Sequence, residues 1–577
     1  MSEPAAQPPA GSMAAEPQAQ MPRQADTSPG PRVRRGLDAS LGVVAMLAAS
    51  LPLLVTAALV AFQRPLIVFD GDFAVDEIFL IRSTHFAQLV GNYSRFGWDH
   101  PGPAWFYALD VFYVPFGAQS WGFTDATLAL HAIAAGLIVA VAWRIGGPVL
   151  AAITSLLLLA FVGQMGAEVL AIPWPPFAII LPIALLLLLA ALGAAGSLPS
   201  ALGALIVGSY EAQLHVGTAA VVGVVLVAMA LMGWVGGGWR IAIRRPRLGQ
   251  HRLMLPVMVI GLATLVAMWV PVLIDQLTGH PGNLRLLARF FFLSHQPHHR
   301  LADGVSALGR MLTVFPLGHL APGQESDFST LPVRRLLVVA GFLGLSGALA
   351  TAGALLRDRV AQWLGVLLVI ATGVLIWSIS RVVGELYAYF LYWVCALPLV
   401  LLVGWAAIVI SANPARWLPA SLRPVTMRAV GAALALAVVL AAGLEANAFV
   451  PPAMDKVRAA NSATVTALTD RVLASEPEQP VLITITTLDA WPTAAGVSLQ
   501  LIKHGWPVTV RPGFAFMFGE QMQQTHRERL ELVFLAVNLN GFDQNAAGVN
   551  DLGSVTVNCP LQGGQCPVYL FSRRPVD

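Results

Sequence analysis

Eleven stretches of about twenty mostly apolar residues recur along this chain, and they restrict its fold more than any other feature. They begin near Leu41, Ala126, Val149, Pro173, Leu198, Val216, Leu253, Leu336, Ala361, Leu386 and Ala429. A helix of that length crosses the roughly 30 Å of hydrocarbon in a bilayer. The fifth stretch is the shortest and is interrupted by polar residues. Only 11% of the 577 residues are charged, against about a quarter in an average soluble domain. The formal net charge is +3 and no basic tract resembles a nucleic-acid footprint, so nucleic acid is not an expected partner.

Basic residues orient the spans. Arg32, Arg34 and Arg35 precede the first, and Arg144, 240–252, Arg357 with Arg359, and 416–428 fall in alternate loops. The positive-inside rule puts all of them in the cytoplasm; Arg334 and Arg335 are a minor exception. Residues 1–36, rich in Ala, Pro, Gln and Ser, cannot bury enough surface to order themselves and are expected to form a disordered cytoplasmic tail. Residues 37–450 form the membrane module, with long outside loops at 63–125 and 275–335. Residues 451–577 follow as an outside domain. There the runs 481–485, 507–510, 532–537, 555–557 and 568–571 read as strands with helical stretches between them, a small α/β fold. Cys559 and Cys566 flank a short polar segment and would pair in an oxidising compartment. Cys395, in an apolar run, reads as a packed thiol.

The first outside loop carries the chemistry. It reads Asp70-Gly71-Asp72-Phe73-Ala74-Val75-Asp76-Glu77, and later Asn92-Tyr93-Ser94-Arg95-Phe96-Gly97-Trp98-Asp99-His100-Pro101-Gly102-Pro103. Four carboxylates within eight residues beside a bilayer must each be solvated, paired or metal-bound. Helical character from Phe73 would set Asp72 and Asp76 on one face, one turn apart, as a base beside a second acid or as a pair of metal ligands. A solvated acidic loop is the bland alternative, but the flanking aromatics and the Pro-Gly-Pro turn favour a fixed shape. Residues 104–113 are too short and aromatic to span, and read as an interfacial helix.

Gly71-Asp72-Phe73-Ala74 and His100-Pro101-Gly102-Pro103, in that order after the first span, resemble the acidic and His-Pro-Pro motifs of the GT-C superfamily of membrane glycosyltransferases. The run from Tyr93 to Trp98 before His100 is similar to that of bacterial, mostly actinobacterial, GT-C-like membrane proteins. The resemblance covers the first loop and the general layout of spans. It implies a polytopic α-helical enzyme of the bacterial plasma (inner) membrane that moves a hexosyl or pentosyl unit, with inversion, from a polyprenyl-phosphate donor to an envelope glycan, lipid or protein acceptor on the outer face. It carries the catalytic aspartate onto Asp72. The second acid of the usual Asp-Glu pair is replaced here by Phe73, and spacing assigns Asp76 and Glu77 as helpers.

Such chemistry needs cations on the lipid phosphate, and Arg95, Arg381 and Arg300 are the candidates, since guanidinium binds phosphate bidentately. Arg381 reads equally well as an interface anchor. Tyr93, Trp98 and His100 would shape the site. So would Gln213 and His215, from the polar run 209–215 where an apolar span should end; a plain outer loop explains that run nearly as well. His280, His295, His298 and His299 in the second outside loop lack a carboxylate at ligand spacing, so no metal is assigned, and the loop is expected to cover the donor lipid. No cofactor is required, though a divalent cation is compatible. A transporter or flippase should carry charges across several mid-span positions, whereas here they gather on the outer face. A catalytically inactive envelope-assembly partner is the third reading, and Phe73 is its basis.

Overall fold

The computed structural model describes residues 31–240, 251–293, 296–318, 328–412, 419, 423–475, 478–537, 542–559 and 563–575. The expected tail therefore lies outside the described residues up to position 30, and the first helix, α1 (Pro31–Gln63), begins within its last few residues. Most of the basic tract after Arg240, and Arg416, also lie outside them.

Among the described residues nine helices are long and apolar enough to cross a membrane, and the chain is a multi-pass membrane protein. One of the nine, α4 (Ser120–Met165), is bent at Gly146 and Gly147, where the backbone leaves helical geometry and Gly147 takes φ +75°. Glycine reaches that region without a Cβ penalty, so two of the expected apolar stretches form arms of one element. The core helix α5 (Ile180–Ala194) is apolar on all sides and almost wholly buried, as a helix surrounded by protein must be. It is followed by the 17-residue α6 (Leu198–Leu214), then α7 (Val216–Val235) and α8 (His251–Thr278), which leaves most of its apolar side chains on the outside. In a bilayer that surface faces lipid.

Between α1 and α4 lie two short helices, α2 (Gly71–Ser83) and α3 (Ala104–Tyr113). At ten residues α3 is too short to span, and it buries Trp105, Phe106, Leu109 and Tyr113 while leaving Val111 exposed. Beyond α8 come α9 (Leu301–Leu312), α10 (Val333–Leu356), α11 (Arg359–Ser380), α12 (Ala396–Ser411) and the long α13 (Arg423–Ala459).

The C-terminal unit is built on a five-stranded sheet ordered β2-β1-β3-β5-β4: β1 (Val481–Ile485), β2 (Val508–Val510), β3 (Leu530–Ala536), β4 (Asn550–Cys559) and β5 (Gly564–Arg573). The first three pair in parallel, and β5 and β4 close the edge as an antiparallel hairpin. The Cys559–Cys566 disulfide joins the two strands of that hairpin, as the spacing suggested. Glu531 is buried on β3, yet Arg573, Thr484 and Arg511 bond it and hold its carboxyl below the usual range against the opposing effect of burial. Helix α13 runs past position 450 into this unit without a break. Just beyond its end, Val68 donates to the Ala460 carbonyl and accepts from the Ser462 amide, at 3.0 and 2.9 Å. The strand-like lead into α2 is thereby fixed to the C-terminal unit, and α15 (Trp491–Lys503) of that unit, which follows α14 (Ala463–Ala474), packs on α2.

Candidate functional site

Gly71 opens α2 with φ +52°, a conformation costly for any other residue, and this lets the chain turn from Asp70 into the helix. Asp72 then falls in the first turn, where a negative side chain suits the helix dipole. Asp76 follows one turn later. The Tyr93 hydroxyl donates to Asp72 and the Asn92 amide donates to Asp76, so both aspartates meet consecutive residues of one loop. That loop doubles back on itself: the Gly91 amide donates to the His100 carbonyl at 2.9 Å and the His100 amide to the Asn92 carbonyl at 2.7 Å.

Burial pushes the Asp72 carboxyl above its ordinary pKa of 3.8, and the Tyr93 hydroxyl offsets part of the rise. Asp72 is nonetheless partly accessible, because it sits deep in the protein but faces a cavity. Asp76 lies behind it, fully buried, with Oδ2 unbonded. Burial first, and then the charge of Asp72, raise the Asp76 carboxyl well above 3.8. Phe73, where the GT-C pattern would have an acid, packs instead in an aromatic cluster, 5.9 Å from Phe69 and 6.5 Å from Trp174. Asp76, the next carboxyl along α2, stands one helical turn further on.

Glu77 points elsewhere. Its oxygens accept from Tyr113 at 2.9 Å and Ser120 at 2.8 Å, and it forms an ion pair with Lys503 of the C-terminal unit. Nearby, the Arg82 guanidinium donates to the Phe518 carbonyl at 2.6 Å. These contacts fasten α2 to α3, α4 and the C-terminal unit.

The cavity that Asp72 faces has a volume of about 760 Å³. Tyr93, Arg95, Trp98, His100, His215 and Arg381 line it, so residues from positions 72 to 381 converge there. Arg95 lies over the Phe96 and Tyr387 rings, 5.1 and 5.7 Å from their centres. Four of the expected site residues lie outside the cavity lining. Arg300 is exposed, pairs with Asp303 at 2.8 Å and caps α9. Gln213 stands behind the wall, its side-chain amide donating to the Met268 carbonyl at 3.0 Å and its backbone carbonyl accepting from the Gly102 amide at 3.2 Å. Asp76 and Glu77 are the other side chains that do not reach it.

Five residues on or beside the cavity were not assigned from sequence. Asn92 holds Asp76, and Trp174 and Tyr389 line the wall. Trp491, from the C-terminal unit, meets the Tyr93 ring edge-on at 6.3 Å, and Phe516 does so at 6.4 Å. Pro173-Trp174-Pro175-Pro176 was a legible signal, a turn in an apolar run; the other four had none. In the second outside loop Phe290, Phe291 and Phe292 also line the cavity. His298 forms a β-bridge with Val383, and His299 Nε2 lies 2.8 Å from the Gly384 carbonyl, tying that loop across the cavity rim. His295 lies outside the described residues, among which no group of three or more His, Cys, Asp or Glu could hold a metal ion. A second cavity of about 1160 Å³ opens beside α3, α4 and α8; Asp110 and His131 line it, but no arginine or lysine does.

No family model matches the chain, and no curated protein does. Among solved structures, ArnT from Cupriavidus metallidurans bound to undecaprenyl phosphate superposes with a TM-score of 0.52 at 14% identity, covering 94% of this chain and 98% of that one. The same protein in the apo state gives 0.48 at 15% identity, covering 93% and 98%. The apo oligosaccharyltransferase of Archaeoglobus fulgidus gives 0.40 at 14%, covering 86% and 69%. The first of these extends over nearly the whole length of both chains, so this chain shares its overall fold.

Proposed function

We propose that this protein is a membrane glycosyltransferase that takes a sugar from a polyprenyl-phosphate donor and passes it to a hydroxyl of an envelope glycan, lipid or protein on the outer face. The observation that carries this reading is the single cavity in which a buried carboxylate, Asp72, meets two arginines and a wall of aromatic side chains. The GT-C fold, shared with a protein that binds undecaprenyl phosphate, supports the lipid-linked donor.

In this reading Asp72 is the general base. The acceptor hydroxyl gives its proton to an Asp72 oxygen while its own oxygen bonds to the anomeric carbon. The bond from that carbon to the phosphate oxygen breaks, and its electron pair leaves with polyprenyl phosphate. A single displacement of this kind inverts the anomeric centre. Burial suits Asp72 to the task, because a raised pKa makes the carboxylate a stronger base. The Tyr93 hydroxyl fixes its orientation. Arg95 and Arg381 would meet the phosphate, and the rings of Phe290, Trp98 and Phe390 would hold the first isoprene units. Asp76 and Glu77 then act on the helix rather than on substrate.

The basic residues support a plasma-membrane orientation with the N-terminus in the cytoplasm. Ser120, at the start of α4, touches Glu77 on the site side, whereas Arg144 lies at the far end of the same arm, beside the Gly147 turn. The C-terminal unit would then be extracytoplasmic, where a disulfide persists. The test is transfer from a panel of labelled polyprenyl-phosphate sugars to membrane acceptors, comparing wild type with Asp72→Asn. Transfer by the wild type alone supports the assignment; equal transfer by both removes Asp72 as the base, and no transfer by either across the panel points to an inactive partner.

A further inference from the structure

His100 and His215 lie on segments far apart in sequence, yet their rings stack with centres 4.8 Å apart. They are held in the same way. The Val216 amide donates to His100 Nδ1 and the Gly217 amide to His215 Nδ1, each at 3.1 Å. These are the first two amides of α7, a 20-residue helix whose N-terminus therefore ends on two imidazoles. A ring nitrogen that accepts a hydrogen bond carries no proton, so each ring has its proton on Nε2. Burial lowers the pKa of both, to about 4 at His215, and the His215 ring adds to the effect at His100, which keeps the pair neutral.

The surrounding chain is shaped to this arrangement. A Cβ at position 217 would lie 2.9 Å from His215 Nδ1, and one at position 91 would lie 2.8 Å from the His100 Cβ. Both rings line the cavity of Asp72, Arg95 and Arg381. His215 is 7% exposed, and among the described residues no protein group bonds either Nε2. Toward the cavity the pair therefore offers donors and no acceptors.

We propose that His100 and His215 form a neutral two-donor clamp for a phosphate oxygen of the polyprenyl-phosphate donor, backed by the positive end of α7; this rests on the function proposed above. A phosphate oxygen only accepts, which matches a site that only donates, whereas a sugar hydroxyl would leave its own proton without a partner. The α7 amides polarise each ring through Nδ1 and place the helix's partial positive charge behind the donors. Arginines in the same cavity supply full charge, and the imidazoles add direction without altering the net charge of the site at neutral pH.

The test uses the full-length protein in phosphatidylcholine nanodiscs, titrated with a fluorescent short-chain polyprenyl phosphate and with the matching polyprenol. His215→Asn and His100→Asn keep an oxygen where Nδ1 accepted and remove the Nε2 donor; His→Gln at each position places an amide N–H near the lost one. The Asn variants should bind polyprenyl phosphate about tenfold or more weakly, with polyprenol binding and melting temperature unchanged, and the Gln variants should recover much of the loss. Phosphate-selective binding that persists at wild-type affinity in both Asn variants would overturn the clamp alone. Equal binding of phosphate and alcohol by the wild type would overturn the donor reading, and the clamp with it.

Discussion

On one side of α2, Asp72 and Asp76 meet only a tyrosine and an asparagine, with one buried oxygen left unbonded. On the other, Glu77 is as inaccessible as Asp76 but has Tyr113, Ser120 and a lysine on its carboxylate. A helix that needed acids only for stability would partner all of them, because an unbonded buried polar atom costs free energy. The contrast separates a face left short of partners from a face that holds the helix still. It also explains how a short helix would position the proposed base: the C-terminal unit, through Lys503 and the Phe518 carbonyl, grips the side that does not face the cavity.

The strongest attempt to break this comparison is Asp72→Asn. It should lower transfer by about 10²- to 10⁴-fold, the range for a general base, with the melting temperature unchanged. A loss of stability without that loss of transfer would make both faces structural.

Glu77→Gln should do the reverse. It leaves Lys503, which is 19% exposed, without its charged partner, and should cost about 2 kcal/mol in thermal unfolding, since Lys503 keeps some water and the Ser120 hydroxyl. Transfer per folded molecule should change by less than about threefold, well short of the loss of a base. Adding Lys503→Met should return part of the stability; if it does not, the ion pair is not what holds α2.

Asp76→Asn sharpens the difference through pH. Because the folded-state pKa of Asp76 is raised above 3.8, the native protein binds a proton the unfolded chain has lost, and its stabilisation is complete only below about pH 4. It declines as pH rises toward the folded-state pKa. Asparagine cannot ionise, so the variant should lose less stability than wild type between pH 4 and pH 8, as read from denaturant midpoints. Parallel curves would mean that Asp76 is ionised in the native state.

The smallest effect on transfer should come from Cys559→Ser with Cys566→Ser. The disulfide closes a short loop in the terminal hairpin, worth about 2 kcal/mol to the C-terminal unit by loop entropy. Transfer should stay within about twofold of wild type, because the hairpin lies at the far edge of the sheet from β2 and β1. A larger drop would tie the sheet edge to the site.

Much of this was legible without coordinates, for a physical reason. Length and hydropathy determine membrane helices almost locally, since each must satisfy its own backbone in lipid, and alternation with turn residues marked all five strands of the C-terminal unit. The order of Asp72, Tyr93, Arg95 and His100 after the first span identified the loop that faces the cavity. What separates the two expected helper acids was not legible. Asp76 and Glu77 are neighbours in sequence, and only the packing of α3, α4 and the Lys503 helix against α2 turns one toward Asn92 and the other toward Tyr113. Arg300 and Arg381 looked alike as loop arginines, but a local cap on Asp303 claims the first and the cavity keeps the second. The pairing of His100 with His215 depends on the start of α7 and the loop after the first span arriving at one point. Sequence determined the multi-pass helical class, the small sheet and the loop that faces the cavity, because those follow from local chemistry. Tertiary structure alone decided which side chains share a cavity, because that depends on which distant surfaces pack together.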